Sequence, residues 1–338
     1  MNVHTDFQLL KYNTLGISST AAQFVELSSS DDYLELLSSG LLSVTPFFVL
    51  GGGSNVVLPE RYEGIVIHPV VKGIKLLDEQ NGVCHIEVSA GEVWADFVDH
   101  CIEHGWYGLE NMAGIPGSVG ASPVQNVGAY GREAKDFIER VHCYDIATGV
   151  ERWIESDECQ FDYRWSRFKG EWKKRFLVDR VVFRLKTTDT PDVSYKTLAD
   201  RLSSIGVVSP SAKDISAAVK YVRDSKLPDP RIIGSVGSFF KNPIVDSKVC
   251  ERIRKDHPDI VTYFVSEGRF KIGAGWMIDK CGLRGYSDGR VGVYEKQALV
   301  LVNKGGCTAM DVSRFAQRVV NEVYAKFGVW LEYEAIFV

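Results

Sequence analysis

Two glycine-rich segments constrain the fold of this chain more than any other feature of its sequence. The first is residues 51–55 (GGGSN), which follow the apolar run FFVL and indicate a loop at the end of a buried strand. Because glycine lacks a Cβ, the backbone of such a loop can turn its N–H groups toward one point, and an anion can approach them closely. The pentapeptide alone fits an anion site and an ordinary tight turn equally well.

The second segment is residues 111–131 (NMAGIPGSVGASPVQNVGAYG), with five glycines, two prolines and only short apolar runs. This pattern is too irregular for a helix or a strand and predicts a long ordered loop that wraps a ligand. Its residues 114–120 lie about sixty positions after the first loop and suit a pyrophosphate. Two such loops together indicate a dinucleotide. Neither has the G-x-G-x-x-G or G-x-x-x-x-G-K-[ST] spacing, which disfavours a Rossmann dehydrogenase and a P-loop NTPase.

The remaining pattern predicts a mixed α+β chain. Helices are expected in DDYLELLSSG, EVWADFVDHCIEHG and SAKDISAAVKYVRDSK, and a hairpin turn at Asn81-Gly82, whose residue types suit positive backbone dihedrals. Thr308 and Asp311 form an approximate capping box for a last long helix that ends at Gly328, before a terminal strand VWLEYEAIFV. The breaker LPDP indicates a domain junction.

Length and charge bound the function. At 338 residues the chain is long enough for two or three domains, and its net charge of −5 argues against nucleic acid as the main partner. The N-terminus has no signal-peptide pattern, and no apolar run is long enough for a membrane helix, so we expect a cytoplasmic protein without membrane insertion. The seven cysteines are scattered without a C-x-x-C pair, which indicates reduced core thiols. We expect no metal site.

Eight segments in order resemble the bacterial UDP-N-acetylenolpyruvoylglucosamine reductase family over almost the whole chain: GGGSN, GIPGSVGASPVQNVGAYG, FDYRWSRFK, SKLPDP, GSFFKNP, AGWMID, QALVLVN and LEYE. The segment TTDTPDVSYKTLADRL is similar to the type I subgroup, in which a tyrosine-bearing loop closes over substrate. The resemblance implies an α+β, FAD-binding p-cresol methylhydroxylase/vanillyl-alcohol oxidase-type fold with an additional α/β substrate-binding domain. We expect residues 1–70 with 329–338 and residues 71–227 to form two FAD-binding subdomains, and residues 228–328 the substrate domain.

The resemblance also implies an activity: reduction of UDP-N-acetylglucosamine enolpyruvate to UDP-N-acetylmuramate, with non-covalent FAD and with NADPH as co-substrate. This reaction belongs to peptidoglycan synthesis, and thus to cell wall biogenesis, cell shape, cell division and the cell cycle. We expect a monomer whose partner is a small nucleotide sugar. The cofactor-binding residues are expected to be Gly51, Gly52, Gly53, Ser54, Asn55, Ile115, Pro116, Gly117, Ser118, Gly120 and Ser122.

Three residues match the family's catalytic positions. Reduction of the vinyl ether takes a hydride at the β carbon and a proton at the α carbon, and Ser238 matches the proton donor. Arg164 and Glu334 match the pair that polarises the substrate carboxylate and stabilises its enolic form. The matching substrate-binding positions are Tyr130, Tyr195, Lys226, Asn242 and Gln297; Lys226 and Tyr195 are assigned to the diphosphate, and Asn242 and Gln297 to other polar groups.

The chain departs from the family at Tyr333, where proline is usual, and it ends four residues after Glu334. Two other functions fit part of the pattern. A flavin oxidase of the same fold would often tether FAD through histidine or cysteine, but the resemblance places none at a tether position and gives an oxidase no use for Ser238, Arg164 and Glu334. A catalytically silent flavin-binding or nucleotide-sugar-binding regulator would not need these three residues.

Overall fold

The computed structural model describes residues 1–338, and their contacts group the chain into two compact units. The first unit comprises Met1–Phe7, Ala21–Gly53 and Glu63–Asp224, and the second comprises Gln8–Thr20, Ser54–Tyr62 and Ser225–Val338. The last boundary lies just before the LPDP breaker. This division is coarser than the three predicted domains, and the finer division stays a prediction.

The secondary structure alternates between strands and helices along the whole chain. The strands are β1 (Asn2–Gln8), β2 (Thr20–Leu27), β3 (Phe47–Val49), β4 (Val56–Val57), β5 (Arg61–Pro69), β6 (Ile74–Gln80), β7 (Val83–Ser89), β8 (Gly128–Ala129), β9 (Arg132–Glu133), β10 (Ile138–Asp145), β11 (Glu151–Glu155), β12 (Phe176–Lys186), β13 (Ser235–Ser238), β14 (Ile244–Asp246), β15 (Thr262–Ser266), β16 (Arg269–Ile272), β17 (Val291–Val293), β18 (Val300–Asn303) and β19 (Ile336–Phe337). The α-helices are α1 (Ser30–Ser38), α2 (Leu41–Val44), α3 (Trp94–Glu103), α4 (Ser122–Gln125), α5 (Lys196–Ser204), α6 (Ala212–Lys226), α7 (Ser247–Asp256), α8 (Ala274–Lys280) and α9 (Ala309–Phe327).

The largest sheet of the first unit is antiparallel, with the strand order β11-β10-β12-β7-β6. Its central strand β12 places Val181 opposite Val141 of β10 and Val88 of β7, and all three side chains are fully buried. The β6–β7 hairpin turns at Asn81 (φ 54°) and Gly82 (φ 80°), which confirms the predicted tight turn. Apolar residues of α3, α5 and α6 complete the core beside this sheet.

A smaller sheet of the first unit has the order β1-β2-β5-β3, with β3 parallel to β5. Beyond the end of β3, the N–H of Leu50 still donates to the carbonyl of Ile67 (2.8 Å), which continues the ladder to the start of the first glycine loop. The predicted strand before this loop and the predicted short helix α1 are therefore confirmed. The loop leaves the sheet at the carboxyl end of a parallel strand.

The second unit has two three-stranded antiparallel sheets, ordered β13-β18-β17 and β14-β16-β15, and the short parallel pair β19-β4. Helix α9 supplies much of its core with Phe315, Val319 and Val323. The helix begins at the predicted capping box, in which the Thr308 hydroxyl accepts from the Asp311 N–H, and it ends at Gly328 in the left-handed conformation (φ 65°). These two signals were predicted correctly.

The prediction of one terminal strand over VWLEYEAIFV was wrong, because only Ile336 and Phe337 form a strand. Residues 329–335 form no strand, and their pairing with other segments includes an isolated β-bridge between Tyr333 and Phe240. The cysteines carry no disulfide, and all but Cys281 are buried. None of the helices combines the length and the apolar character that a bilayer span needs.

We predict that Thr308→Ala destabilises the protein by about 1 kcal/mol, the usual cost of losing a capping side chain. Thr308→Ser retains the hydroxyl and should cost only a fraction of this. Urea unfolding followed by the fluorescence of the tryptophans would measure both. Equal destabilisation by the two variants would show that the methyl group of Thr308, and not its cap, stabilises α9.

Candidate active site

The two glycine-rich loops pack directly on each other in the first unit. A Cβ added to Gly52 would lie 2.8 Å from the Cα of Gly117, which is closer than two non-bonded carbon atoms can approach. A Cβ on Gly51 would lie 2.5 Å from the Oγ of Ser118. Only glycine at position 52 therefore lets the loops touch. We call the surface formed by residues 51–53 and 114–120 the glycine cradle.

The rear of the glycine cradle is fixed by main-chain hydrogen bonds. The N–H of Trp94, the first residue of α3, donates to the carbonyl of Gly117 (3.0 Å), and the Gly120 N–H donates to that of Ala90 (2.9 Å). Ser122 is fully buried, and its hydroxyl donates to the Val119 carbonyl (2.7 Å). This hydrogen bond from Ser122 thus stabilises the turn of the second glycine-rich segment.

Tyr130 and Tyr195 meet in the first unit. Their rings contact edge to face, with centroids 5.3 Å apart, and burial raises the pKa of Tyr130 above its ordinary value. The buried Asn111 donates from Nδ2 to the carbonyls of Tyr130 (3.1 Å) and Asp192 (3.0 Å). One amide group therefore joins the segment that carries Tyr195 to the end of the second glycine loop.

Arg164 lies in a tight turn of the first unit. Asp162 and Trp165 exchange two main-chain hydrogen bonds of 3.0 Å across the turn, and Arg164 has a φ of 53°. A long side chain rarely adopts this left-handed conformation, and such residues are concentrated at functional sites. The guanidinium donates through Nη2 to the Gly128 carbonyl (2.6 Å), which orients it toward the second glycine-rich segment.

Ser238 lies at a β-bulge in the second unit. Ser235 pairs with Val302 and Ser238 with Val300, so three steps on β13 oppose two on β18. Gly237, with a φ of 69°, absorbs the extra residue. Bulges of this kind often re-aim a side chain beside an active site. The half-buried Ser238 hydroxyl forms no hydrogen bond within the protein, so its proton is available to a ligand.

Glu334 is held next to Ser238 through Phe239. The Glu334 N–H donates to the Phe239 carbonyl (2.8 Å), and the Phe239 N–H donates to the Leu299 carbonyl (2.9 Å). Asn55 donates from Nδ2 to the Glu334 carbonyl (3.1 Å). The second unit therefore brings together two of the three predicted catalytic residues.

Asn242 and Gln297 each lie against the beginning of α8. Asn242 accepts the Ala274 N–H at Oδ1 (2.9 Å), and the Gln297 Oε1 would lie 2.8 Å from a Cβ on Gly275. Glycine at position 275 thus leaves room for the Gln297 amide. Lys226 ends α6 as an exposed cation at the start of the second unit.

Comparison with known proteins agrees with these features. Residues 229–338 match the model "UDP-N-acetylenolpyruvoylglucosamine reductase, C-terminal domain", and residues 21–155 match an FAD binding domain. The chain is 43% identical to the UDP-N-acetylenolpyruvoylglucosamine reductase of Chromobacterium violaceum and 44% identical to that of Bdellovibrio bacteriovorus, each over 99% of both chains.

The chain belongs to the UDP-N-acetylenolpyruvoylglucosamine reductase family. It is accordingly an FAD-dependent oxidoreductase. The fold also matches the crystal structure of the family member from Thermus caldophilus, with a TM-score of 0.68, 24% identity and coverage of 99% of this chain and 98% of that one. The predicted fold class is confirmed.

The glycine cradle fits the FAD of this reductase family. Where Gly52 meets Gly117 no side chain separates the two loops, so a pyrophosphate can approach the main chain closely at this point. Two buried polar atoms of the second glycine-rich segment lack a hydrogen-bond partner within the protein: the acceptor Asn111 Oδ1 and the donor Gln125 Nε2. Orphaned polar atoms in a native fold call for a partner, and a bound polar ring system would provide one.

Asn111, Gln125 and Arg223 are not among the residues predicted from the sequence. Arg223 donates from Nε to the Gly114 carbonyl (3.1 Å), and burial lowers the pKa of its guanidinium, while Tyr130 and Asp224 raise it. Arginine nevertheless stays charged in proteins, so a cation lies against the glycine cradle. Asn111 and Gln125 lie within the predicted loop, but Arg223 belongs to an amphipathic helix and carries no sequence signal.

We predict that Gly52→Ala weakens FAD binding by about tenfold or more, because overpacking against a main chain costs about 1–3 kcal/mol. Gly51→Ala meets only a side-chain oxygen, so the double variant Gly51→Ala/Ser118→Ala should bind FAD better than Gly51→Ala alone. Flavin content of the purified proteins and titration of the apoproteins with FAD would measure this, with Ser118→Ala as the control. Wild-type flavin content in Gly52→Ala would contradict the proposed cradle.

Proposed function

We propose that this protein reduces UDP-N-acetylglucosamine enolpyruvate to UDP-N-acetylmuramate, with FAD as its bound cofactor and NADPH as the electron donor. The observation that carries the proposal is Ser238, whose unpartnered hydroxyl lies at a bulge one residue before the main-chain contact that holds Glu334. In a member of this reductase family, Ser238 would be the proton donor, and Glu334 would be the neighbouring carboxyl group that stabilises the enolate.

The glycine cradle would hold the FAD pyrophosphate through main-chain N–H groups. The predicted cofactor residues Ile115, Pro116 and Ser118 belong to its second loop, and Ser54 and Asn55 follow its first. Asn111, Gln125 and Arg223 would contact the cofactor from the same unit. When bound, FAD takes electrons from NADPH and supplies a hydride to the β carbon of the substrate.

The protein's own residues would complete the reduction at the α carbon. Arg164 would bind the substrate carboxylate, because a guanidinium can donate two parallel hydrogen bonds to it. Glu334 would stabilise the enolic form that develops on that carboxylate. Ser238 would then give its hydroxyl proton to the α carbon and would be left as an alkoxide.

Five further residues would bind the nucleotide sugar. Lys226 and Tyr195 would contact the diphosphate, and Tyr130 would orient Tyr195 through the edge-to-face contact. The amides of Asn242 and Gln297 would hold polar groups of the substrate at the start of α8. The protein would act in the cytoplasm as a monomer, and through peptidoglycan synthesis it would serve cell wall biogenesis, cell shape, cell division and the cell cycle.

Anaerobic half-reactions test this function. NADPH should bleach the flavin absorbance of wild type, and UDP-N-acetylglucosamine enolpyruvate should restore it. Ser238→Ala should still be bleached, but its recovery should slow by about 10²–10⁴-fold, the usual contribution of a positioned proton donor. Ser266→Ala, which changes an exposed serine of the same unit, is the matched control.

Two outcomes would support other functions. Recovery of the flavin only with oxygen would favour an oxidase of the same fold. A flavin that NADPH does not bleach, or that the enolpyruvyl compound does not restore, would favour a binding protein without this activity.

A further inference from the structure

The Asn55 side chain occupies an unexpected place at the end of the first glycine loop. The strands β4 and β19 run parallel, with Val56 opposite Ile336 and Val57 opposite Phe337. The Ile336 N–H donates to the Asn55 carbonyl (3.0 Å), which continues this pairing by one residue. In a regular ladder the Asn55 N–H would next donate to the Glu334 carbonyl. The Asn55 carboxamide takes this place instead, through its Nδ2 at 3.1 Å.

We propose that Asn55 is a positioning residue for Glu334, and that its side chain serves the proton and enolate chemistry and not the binding of the cofactor. The proposal deepens the function proposed above and rests on it. It concerns the carboxamide only: the main-chain N–H of Asn55, released from the ladder, has no hydrogen-bond partner within the protein and stays with the glycine loop as a predicted cofactor contact.

Both main-chain polar groups of Glu334 are fixed by this arrangement. Its N–H is bound to the Phe239 carbonyl (2.8 Å), and its carbonyl is bound to the Asn55 carboxamide (3.1 Å). Phe239 directly follows Ser238, so one end of the restraint is the strand that carries the proton donor. Removal of the carboxamide takes away the hydrogen bond at the Glu334 carbonyl, while the N–H groups of Glu334 and Ala335 stay directed at the Phe239 carbonyl (2.8 and 3.4 Å). The peptide group that follows Glu334 is then held less firmly, and the carboxyl group shifts relative to Ser238.

The aromatic surroundings explain why the remaining contacts do not replace this hydrogen bond. Tyr333 packs against Phe239, Phe240 and Phe337 at centroid distances of 5.7, 5.8 and 5.7 Å, and these contacts hold the ring of the preceding residue. They do not bind the Glu334 carbonyl. A misplacement of about 1 Å at a catalytic group can cost about 10²-fold in rate.

The variants Asn55→Ala and Asn55→Asp test the proposal. The first removes the donor, and the second places a carboxylate oxygen against the Glu334 carbonyl, acceptor against acceptor. Asn55→Ala should retain wild-type flavin content and wild-type bleaching by NADPH, while recovery with the enolpyruvyl substrate slows by about 10–100-fold in both variants. Asn321→Ala, which changes an exposed asparagine of α9, is the control and should leave both half-reactions unchanged.

A double-mutant cycle separates positioning from a merely structural effect. If Asn55 acts through Glu334, Asn55→Ala should slow recovery by no more than about twofold in a Glu334→Gln background, within the usual limit for the combination of variants. Flavin loss in Asn55→Ala with normal recovery per bound flavin would overturn the proposal. The proposal would also be overturned if the effects of Asn55→Ala and Glu334→Gln on the recovery rate multiplied in the double variant.

Amide hydrogen exchange gives a readout that does not depend on catalysis. In Asn55→Ala the segment 334–338 should exchange faster than in wild type, whereas the segment 309–327 of α9 should not change. Unchanged exchange at 334–338 would overturn the proposal. If wild-type protein binds flavin but the enolpyruvyl compound does not reoxidise it, the proposed function fails, and the exchange result still decides whether Asn55 restrains Glu334.

Discussion

The contact between the main chains of Gly52 and Gly117 is the constraint on which the first unit depends. A Cβ at position 52 would lie 2.8 Å from the Gly117 Cα, so the two loops can meet only because neither presents a side chain there. The Gly117 carbonyl also accepts the N–H of Trp94. The same glycine therefore fixes the beginning of α3 and the floor of the proposed flavin site, and a change in one displaces the other.

In the second unit, the predicted catalytic residues Ser238 and Glu334 come from segments that are distant in sequence. Gly237 breaks the register of β13 and so directs Ser238 away from the regular pleat. Phe239, the next residue, returns to the sheet through its N–H and uses its carbonyl to hold Glu334. The β-bulge at Ser238 and the long-range hydrogen bond from Glu334 to Phe239 thus lie at adjacent residues of the chain.

Local signals in the sequence predicted local structure well. The Asn81-Gly82 turn and the Thr308 capping box depend on side chains and dihedrals within a few residues, and both are found. The prediction of the terminal strand was wrong because alternation of apolar residues does not reveal whether a partner strand is present. Likewise, the catalytic assignments came from resemblance to a family. Arg223 approaches Gly114 from a distant helix, and no pattern of neighbouring residues predicts such a contact.

The local geometry at Tyr333 is compatible with the proline that the resemblance to the family implies for this position. Its bridge to Phe240 is formed by the N–H groups of Lys241 and Glu334, and the Tyr333 N–H takes no part in it. The proline that is usual in the family could therefore occupy this position without breaking either hydrogen bond. Proline would restrict the chain through its ring, whereas Tyr333 restricts it by packing against the rings of Phe239 and Phe240. The hydrogen bonds of the Glu334 N–H and carbonyl do not involve the main chain of residue 333, so they can form with either tyrosine or proline at that position.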